Sequence, residues 1–253
     1  MSTISVILIT LNEEQNIERC LNSVRWADEI IVVDSGSSDR TIELAKSLSA
    51  KVYHQDWLGF GLQKAKALSY ATCEWVLSLD ADEVVTDALA AEIQMLIKQG
   101  SKNYSYKIRR ITQLYGHWIK YGDWRNDCPV RLIRRKYAQF SDNAVHESFY
   151  ATGDNELMLC KGIIRHYAFP TAELMLNKIN SYTTASVKNH KPTKKVSYLK
   201  VLFKAQWAFI RSYIFKLGFL DGKAGIMLAI SAKEGTYYKY LKIHLSQQNK
   251  GSA

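Results

Sequence analysis

The sequence lacks the features that mark several classes of protein. It has only 3 prolines and 13 glycines in 253 residues, with no low-complexity tract and no fixed-period repeat, which excludes collagen-like, disordered and solenoid chains. Its four cysteines form no CxxC pair, which argues against a zinc site and against a disulfide-stapled scaffold. No uncharged apolar run reaches the roughly 18 residues that a membrane-spanning helix needs. Because the start of the chain also lacks a basic segment and a cleavage site, we expect a cytoplasmic protein with reduced thiols.

What the sequence does contain is an uneven distribution of charge. Residues 1–100 carry 8 basic and 15 acidic side chains, a net of −7, whereas residues 101–253 carry 26 and 9, a net of +17. With 47% hydrophobic residues the chain can bury a core of its own. The asymmetry predicts that the basic half faces an anionic partner, while the acidic half has another purpose, such as metal binding.

The first 85 residues predict strands that alternate with helices. Residues 4–9 and 29–34 are short, apolar and rich in β-branched residues, and the segment between them has helical periodicity. Further strands are expected at 51–54 and 75–79. This pattern predicts an α/β fold with a mostly parallel sheet flanked by helices, in which ligands bind at the carboxyl ends of the strands.

Beyond residue 100 the pattern is less regular. Shorter segments at 104–110, 114–120 and 130–134 are candidate strands, with Gly116 and Gly122 in turns. Residues 196–217 read as a helix that has Lys200, Lys204 and Arg211 on one face. We therefore predict a domain over 1–195, with halves 1–100 and 101–195, and a basic amphipathic helical extension over 196–253. This extension suits a membrane surface, although packing against the protein itself or another subunit is the alternative.

Acidic and polar residues follow three of the predicted strands. Asp80 and Asp82 come directly after the strand at 75–79, and carboxylate oxygens are the ligands that Mg²⁺ or Mn²⁺ takes when it bridges a diphosphate. An acidic turn that caps the next helix is the alternative. The two earlier strands end at the sequences 10–13 and 34–39, where Asn12 and Asp39 are equally suited to capping helices. Since strand ends meet at one edge of a sheet, the three segments predict a single ligand site.

The order T-x-N-E at 10–13, V-V-D-S-G-S-S-D at 32–39 and L-D-A-D at 79–82 resembles the inverting family 2 glycosyltransferases of the GT-A fold. Within that family, the segments 56–64 and 218–222 and the Val-His-Glu at 145–147 are similar to the bacterial lipopolysaccharide core β-1,4-glucosyltransferase group. The resemblance implies a GT-A catalytic domain over 1–195, a UDP-sugar donor and a divalent metal ion, Mg²⁺ or Mn²⁺.

The resemblance also implies a role for each matched residue. Those expected to contact the nucleotide-sugar are Thr10, Asn12, Glu13, Asp34, Asp39, Lys64 and Asp80. Among them, Asp34 would read the base and Asp80 would touch the ribose, whereas Asp82, beside Asp80, would hold the metal ion. For Lys64 the alternative is a solvated helix lysine.

An inverting transfer also needs a general base that takes the proton of the acceptor hydroxyl. Many family members use an E-D pair, which this sequence lacks. The best candidate is Glu147, and Asp127 is the alternative. A carboxylate in such a basic segment is as often an ion-pair partner, and His146 could orient Glu147 or serve a structural purpose.

Other classes of protein fit the sequence less well. A nucleotidyltransferase would open with a Gly-rich basic loop, which 10–13 is not, and the paired carboxylates of a glycosidase must lie on opposite sides of the bond. A nucleic-acid-binding module would use the basic half but not the acidic one, so we expect no nucleic-acid partner. The resemblance implies transfer of glucose from UDP-glucose to a lipopolysaccharide heptose at the inner face of the inner membrane. Another nucleotide-sugar and another glycolipid or polysaccharide acceptor remain the alternative, and no oligomeric state is assigned.

Overall fold

The chain forms two compact units in its computed structural model. Residues 2–100, 103–141, 148–152, 158–188 and 196–249 are described by the structure. Unit 1 comprises residues 1–110 and 127–166, and unit 2 comprises 111–126 and 167–253. The predicted division of the chain at residue 195 stays a prediction.

The first hundred residues of unit 1 alternate strands and helices as predicted. The elements are β1 Ile4–Thr10, α1 Ile17–Asn22, β2 Glu29–Asp34, α2 Thr41–Ser47, β3 Lys51–His54, α3 Phe60–Tyr70, β4 Trp75–Ser78, β5 Glu83–Val85 and α4 Asp87–Lys98. Strand β1 pairs in parallel with β2 and β4, and β2 pairs in parallel with β3. The predicted α/β class is therefore confirmed.

The central strands are buried on both faces, which explains why their sequences are continuously apolar. All six residues of β2 are buried. Val6 and Leu8 of β1 belong to the cluster that includes the apolar side of α1, whereas Ile7 belongs to a second cluster that contains Ala67 of α3. Because successive side chains of a strand point to opposite faces, helices cover both sides of the sheet.

The remaining strands turn the parallel sheet into a mixed one. They are β6 Ser105–Leu114, β7 His117–Trp118, β8 Val130–Arg134, β9 Ala138–Phe140, β10 Phe149–Ala151 and β11 Met158–Phe169. Among the described residues, nine strands form one sheet in the order β3-β2-β1-β4-β8-β6-β11-β5, with β7 beside β6, while β9 and β10 pair separately. Strand β8 is antiparallel to both β4 and β6.

The candidate strand at 114–120 is only partly confirmed. The segment 114–120 contains a tight turn, because β6 ends at Leu114 and the next two residues, Tyr115 and Gly116, both have positive φ angles. The two-residue β7 then pairs back onto β6. The prediction of a turn at Gly116 is confirmed, and so is the strand at 130–134.

Unit 2 is mainly helical. Its helices are α5 Ala172–Lys188, α6 Tyr198–Ile210 and α7 Gly222–Asn249, with a π-helical turn at Arg211–Phe215 and a 3-10 turn at Gly218–Asp221. Both α5 and α6 pack against α7. A Cβ on Gly225 would lie 1.7 Å from the Gly218 carbonyl oxygen, so only glycine lets the first turn of α7 lie this close to the 3-10 turn. Within the described residues, no helix is both long enough and apolar enough to cross a membrane.

Candidate active site

The carboxyl ends of β1 and β2 meet at Thr10 and Asp34, which are register partners in the sheet. The Thr10 hydroxyl donates to Asp34 Oδ2 at 2.9 Å, and Asp34 Oδ1 accepts from the backbone N–H groups of Gly36 and Ser37 at 2.9 and 2.8 Å. Asp34 is fully buried. Its carboxylate therefore fixes the loop that follows β2, and the predicted contact with a base stays a prediction.

Asn12 joins the loop after β1 to the loop after β2. Its backbone N–H donates to Ser37 Oγ at 2.8 Å, and its side-chain oxygen accepts from the Ser38 N–H at 2.9 Å. The Asn12 φ angle of 55° is one that asparagine tolerates better than most residues. Asp39 accepts from the Thr41 N–H at 3.0 Å at the start of α2, which is the capping contact considered as its alternative.

Several carboxylates lie close enough at this edge to influence one another. Burial raises the pKa of Glu13, and the negative charges of Asp82, Asp39 and Asp80 raise this pKa further. Together they outweigh the hydrogen bond from Asn16, which lowers it. A pocket of concentrated negative charge favours the binding of a cation. The structure thus brings together the acidic residues that the sequence placed at three strand ends.

The segment 56–64 connects α3 to the same edge. The amide nitrogen of the buried Gln63 donates to Ser35 Oγ at 3.0 Å and to the Gln55 carbonyl at 2.9 Å. The next residue, Lys64, has a side chain only 8% exposed, and its Nζ lies 2.8 Å from Asp80 Oδ1. Lys64 is therefore not a solvated helix lysine, although its contact with a nucleotide stays a prediction.

Asp80 is held closely by two cations, and a third, Arg110, has its NH1 3.8 Å from Asp80 Oδ2. Besides Lys64 on one oxygen, Arg131 NH2 from β8 lies 2.8 Å from Asp80 Oδ2. Burial by itself would raise the pKa of Asp80, but the charges of Lys64 and Arg131 outweigh it and hold the pKa well below its usual range. Asp80 is thus ionised and oriented before any ligand binds.

Behind Asp80 lies a buried ion network that the sequence did not predict. The Glu83 side chain is 0% exposed, and its Oε1 contacts Arg110 NH1 at 2.8 Å and also Arg131 NH2. Its Oε2 accepts from the Asp80 N–H at 3.1 Å. The sequence signals that could have indicated it are Glu83 at the start of the otherwise apolar β5 and Arg131 between the apolar Val130 and Leu132 of β8.

Asp82 lies next to His166, a residue that the sequence analysis did not assign to the site. The His166 Nε2 atom of β11 is 3.2 Å from Asp82 Oδ2, and Asp82 is partly exposed. The described part of the chain has no group of three or more His, Cys, Asp or Glu side chains that could hold a metal ion. An oxygen donor beside an imidazole nitrogen nevertheless fits a divalent ion that takes its remaining ligands from water and substrate phosphates.

The two candidates for the general base have different outcomes. Asp127 Oδ2 lies 2.7 Å from Arg110 Nε, so this carboxylate is an ion-pair partner within the network around Glu83. Glu147 and the neighbouring His146 lie outside the described residues. The identity of the base therefore stays a prediction.

The mixed α/β sheet carries acidic residues at the carboxyl ends of its parallel strands, Asp34, Asp80 and Asp82, which is the arrangement that the resemblance to GT-A glycosyltransferases implies. The chain belongs to glycosyl transferase family 2, because the model of that family matches residues 5–161.

Several relatives are named as glycosyltransferases. An uncharacterized glycosyltransferase of Rickettsia typhi is 33% identical over 242 residues, covering 91% of this chain and 82% of the relative. The lipopolysaccharide core biosynthesis glycosyltransferase LpsC of Rhizobium meliloti is 27% identical over 245 residues, covering 94% and 89%. Among solved structures, glucosyl-3-phosphoglycerate synthase of Mycobacterium tuberculosis matches with a TM-score of 0.39 and 27% identity, over 43% of this chain and 44% of that chain.

Proposed function

We propose that this glycosyltransferase transfers glucose from UDP-glucose, with inversion, to a heptose-type sugar of the lipopolysaccharide inner core. The observation that carries the donor half of the proposal is the convergence of Asp34, Asp80 and Asp82 at one edge of the sheet. The acceptor half is supported by the similarity to LpsC, whose name assigns it to lipopolysaccharide core biosynthesis. The net charge of +17 in residues 101–253 suits a phosphorylated glycolipid acceptor.

The donor would lie along the ends of β1, β2 and β4. The nucleoside would rest on the loop that Thr10, Asn12 and Asp34 hold together, with its ribose at the pre-ionised carboxylate of Asp80. Because Lys64 and Arg131 fix Asp80 in advance, little conformational freedom is lost when the donor binds. Glu13 would line the same pocket.

Asp82 and His166 would hold Mg²⁺ or Mn²⁺ together with the diphosphate. Such an ion, when bound, neutralises the charge that develops on the leaving diphosphate. Asp80 is less suited to this position, since both of its carboxylate oxygens already contact cations. Two protein ligands are enough, because Mg²⁺ usually binds through one or two protein side chains plus substrate phosphates.

The base would be Glu147. It would take the proton from the acceptor hydroxyl as the oxygen bonds to the anomeric carbon and the bond to UDP breaks. Asp127 is the weaker candidate, because its Oδ2 lies 2.7 Å from Arg110 Nε and is already occupied as an ion-pair partner within the network around Glu83. Peripheral binding at the inner face of the inner membrane would bring the enzyme to its lipid-linked acceptor.

Calorimetric titration with nucleotide diphosphates and their sugars, with and without Mn²⁺, tests the donor and the metal together. We expect UDP-glucose to bind in a metal-dependent way, and Asp82→Asn to remove that dependence while Asp87→Asn, at the exposed start of α4, leaves it intact. Preference for another nucleotide-sugar would replace the donor. No nucleotide binding by the folded protein would refute the proposed site.

A further inference from the structure

Helix α6 has its small residues inside and its large apolar residues outside. Val201, Ala205 and Ala208 are buried, and α6 packs against α7. At about 100° per residue these three positions share one side of the helix, and Leu199 and Phe203 lie on the opposite side. A helix that only completed the core of unit 2 would have the reverse distribution.

The outward side forms a continuous apolar surface. Leu199 is 77% exposed and Phe203 is 73% exposed, and Trp207 follows one turn later with 46% exposed. The π-helical turn continues the exposure with Phe215, at 66%. We call Leu199, Phe203, Trp207 and Phe215 the α6 surface. Exposed large residues repeated over successive turns indicate an interaction surface rather than scattered surface hydrophobes.

A basic flank runs beside the α6 surface. Residues 197–223 contain five basic side chains, of which Arg211 and Lys216 share the carboxylate of Asp123, and one acidic one, Asp221. The Asp221 carboxylate accepts from the backbone N–H groups of Lys120 and Tyr121 at 2.9 and 2.8 Å, so it caps a loop. The exposed Lys200 lies about 100° around the helix from Leu199, whereas the Lys204 Nζ lies over the Tyr240 ring of α7, 4.7 Å from its centroid. Long basic side chains at the border of an apolar face can reach lipid phosphates while their stems stay in the apolar layer.

We infer that the α6 surface inserts into the interfacial layer of an anionic bilayer, with Lys200 at the level of the lipid headgroups. The combination of Leu, Phe and Trp with flanking lysines is that of an interfacial helix. A second copy of the chain fits less well, because pairing two α6 surfaces would bring like-charged flanks together. The inference rests on the proposed function only for its purpose, which is access to a lipid-linked acceptor.

Co-sedimentation of the full chain with vesicles tests the inference. We expect binding to vesicles that mix phosphatidylglycerol with phosphatidylcholine, and much weaker binding to phosphatidylcholine alone. Phe203→Ser should weaken partitioning about tenfold, since one large apolar side chain no longer inserts. Lys200→Gln should weaken it about fivefold, and only on the anionic vesicles. The control is Met95→Ser, which removes an apolar side chain of α4 that is 59% exposed.

The outcomes separate this surface from the catalytic proposal. Both α6 variants should keep wild-type affinity for UDP-glucose, because neither residue belongs to the donor site. Failure of the wild-type chain to bind anionic vesicles, or equal losses for Phe203→Ser and Met95→Ser, would overturn the inference. A dimer that Phe203→Ser converts to monomer would instead identify a second copy as the occupant. Loss of UDP-glucose binding alone would refute the donor site and leave the vesicle result standing.

Discussion

Replacing Glu83 by glutamine should destabilise unit 1 far more than the same replacement at the surface. Around Asp80, Lys64, Arg110 and Arg131 contact three carboxylates, those of Asp80, Glu83 and Asp127. The charges of these six side chains balance. Because Glu83 is 0% exposed, water cannot replace the charge that glutamine removes.

The magnitude follows from the burial of the network. Removing one partner of a buried ion pair typically costs about 3 to 5 kcal/mol. Glutamine keeps the shape of glutamate and one acceptor oxygen, so we expect a value of about 3 kcal/mol, at the lower end of this range. Arg131→Met should be comparably destabilising. The double variant removes one charge of each sign and restores the charge balance. Its decrease in the free energy of unfolding should therefore be smaller than the sum of the two single decreases by at least about 1 kcal/mol.

The assay is urea unfolding of the wild-type chain, the two single variants and the double variant, monitored by tryptophan fluorescence and far-ultraviolet circular dichroism. The control is Glu74→Gln, because Glu74 also pairs with an arginine, Arg134, at 3.4 Å but is 42% exposed. We expect the control to lose less than about 1 kcal/mol. Equal losses at positions 83 and 74, or additive losses in the double-mutant cycle, would refute the view that charge balance holds this network together.

Three further predictions concern the reaction and the stability of the fold. Asp82→Asn should lower metal-stimulated turnover at least about a hundredfold without changing the urea midpoint, and unchanged turnover would remove the metal assignment. Glu147→Gln should abolish transfer but retain UDP-glucose binding in calorimetry, whereas Asp127→Asn should retain transfer; the reverse result would make Asp127 the base. Hydrogen bonds from Lys51, Ser5 and Thr72 outweigh burial and lower the pKa of Glu29 to about 2. A depressed pKa stabilises the folded state at pH values above the pKa of the unfolded chain, and this stabilisation is lost as the pH falls towards 2. Glu29→Gln should therefore lower the free energy of unfolding by about 2 to 3 kcal/mol at pH 7, and by progressively less as the pH is lowered in acid unfolding.

The alternating half of unit 1 was predictable because its local signals and its tertiary environment agree. Strands β1, β2 and β4 are buried on both faces, so burial itself imposes the apolar runs that were read in the sequence. The rule that parallel strands place their carboxyl ends together then brought Asp34 and Asp80 to one edge. In the segment 114–120 the turn at Gly116 was predictable from glycine, but the positive φ angle of Tyr115, which divides the segment between β6 and β7, was not.

The residues behind the site could not be predicted, because they come from segments that carry no shared pattern. Arg131 lies about fifty residues beyond Asp80 in the chain, and His166 lies further still. Nothing in their local sequences indicates that β8 pairs with β4, or that β11 pairs with β5 and places His166 beside Asp82. Pairing between distant strands is determined by the packing of the whole sheet, and the local hydrophobic periodicity of one sequence carries no information about it.

Helix α6 shows a different limit of periodicity. A hydrophobic stripe identifies an amphipathic helix, but it does not say whether the stripe faces the protein or its surroundings. In α6 the deciding contacts are those of Val201, Ala205 and Ala208, which are small enough to bring the helix close to α7. The larger Leu199 and Phe203 are then directed outward. The sequence therefore predicted an amphipathic extension, but the size of the inward residues decides which side of it is exposed.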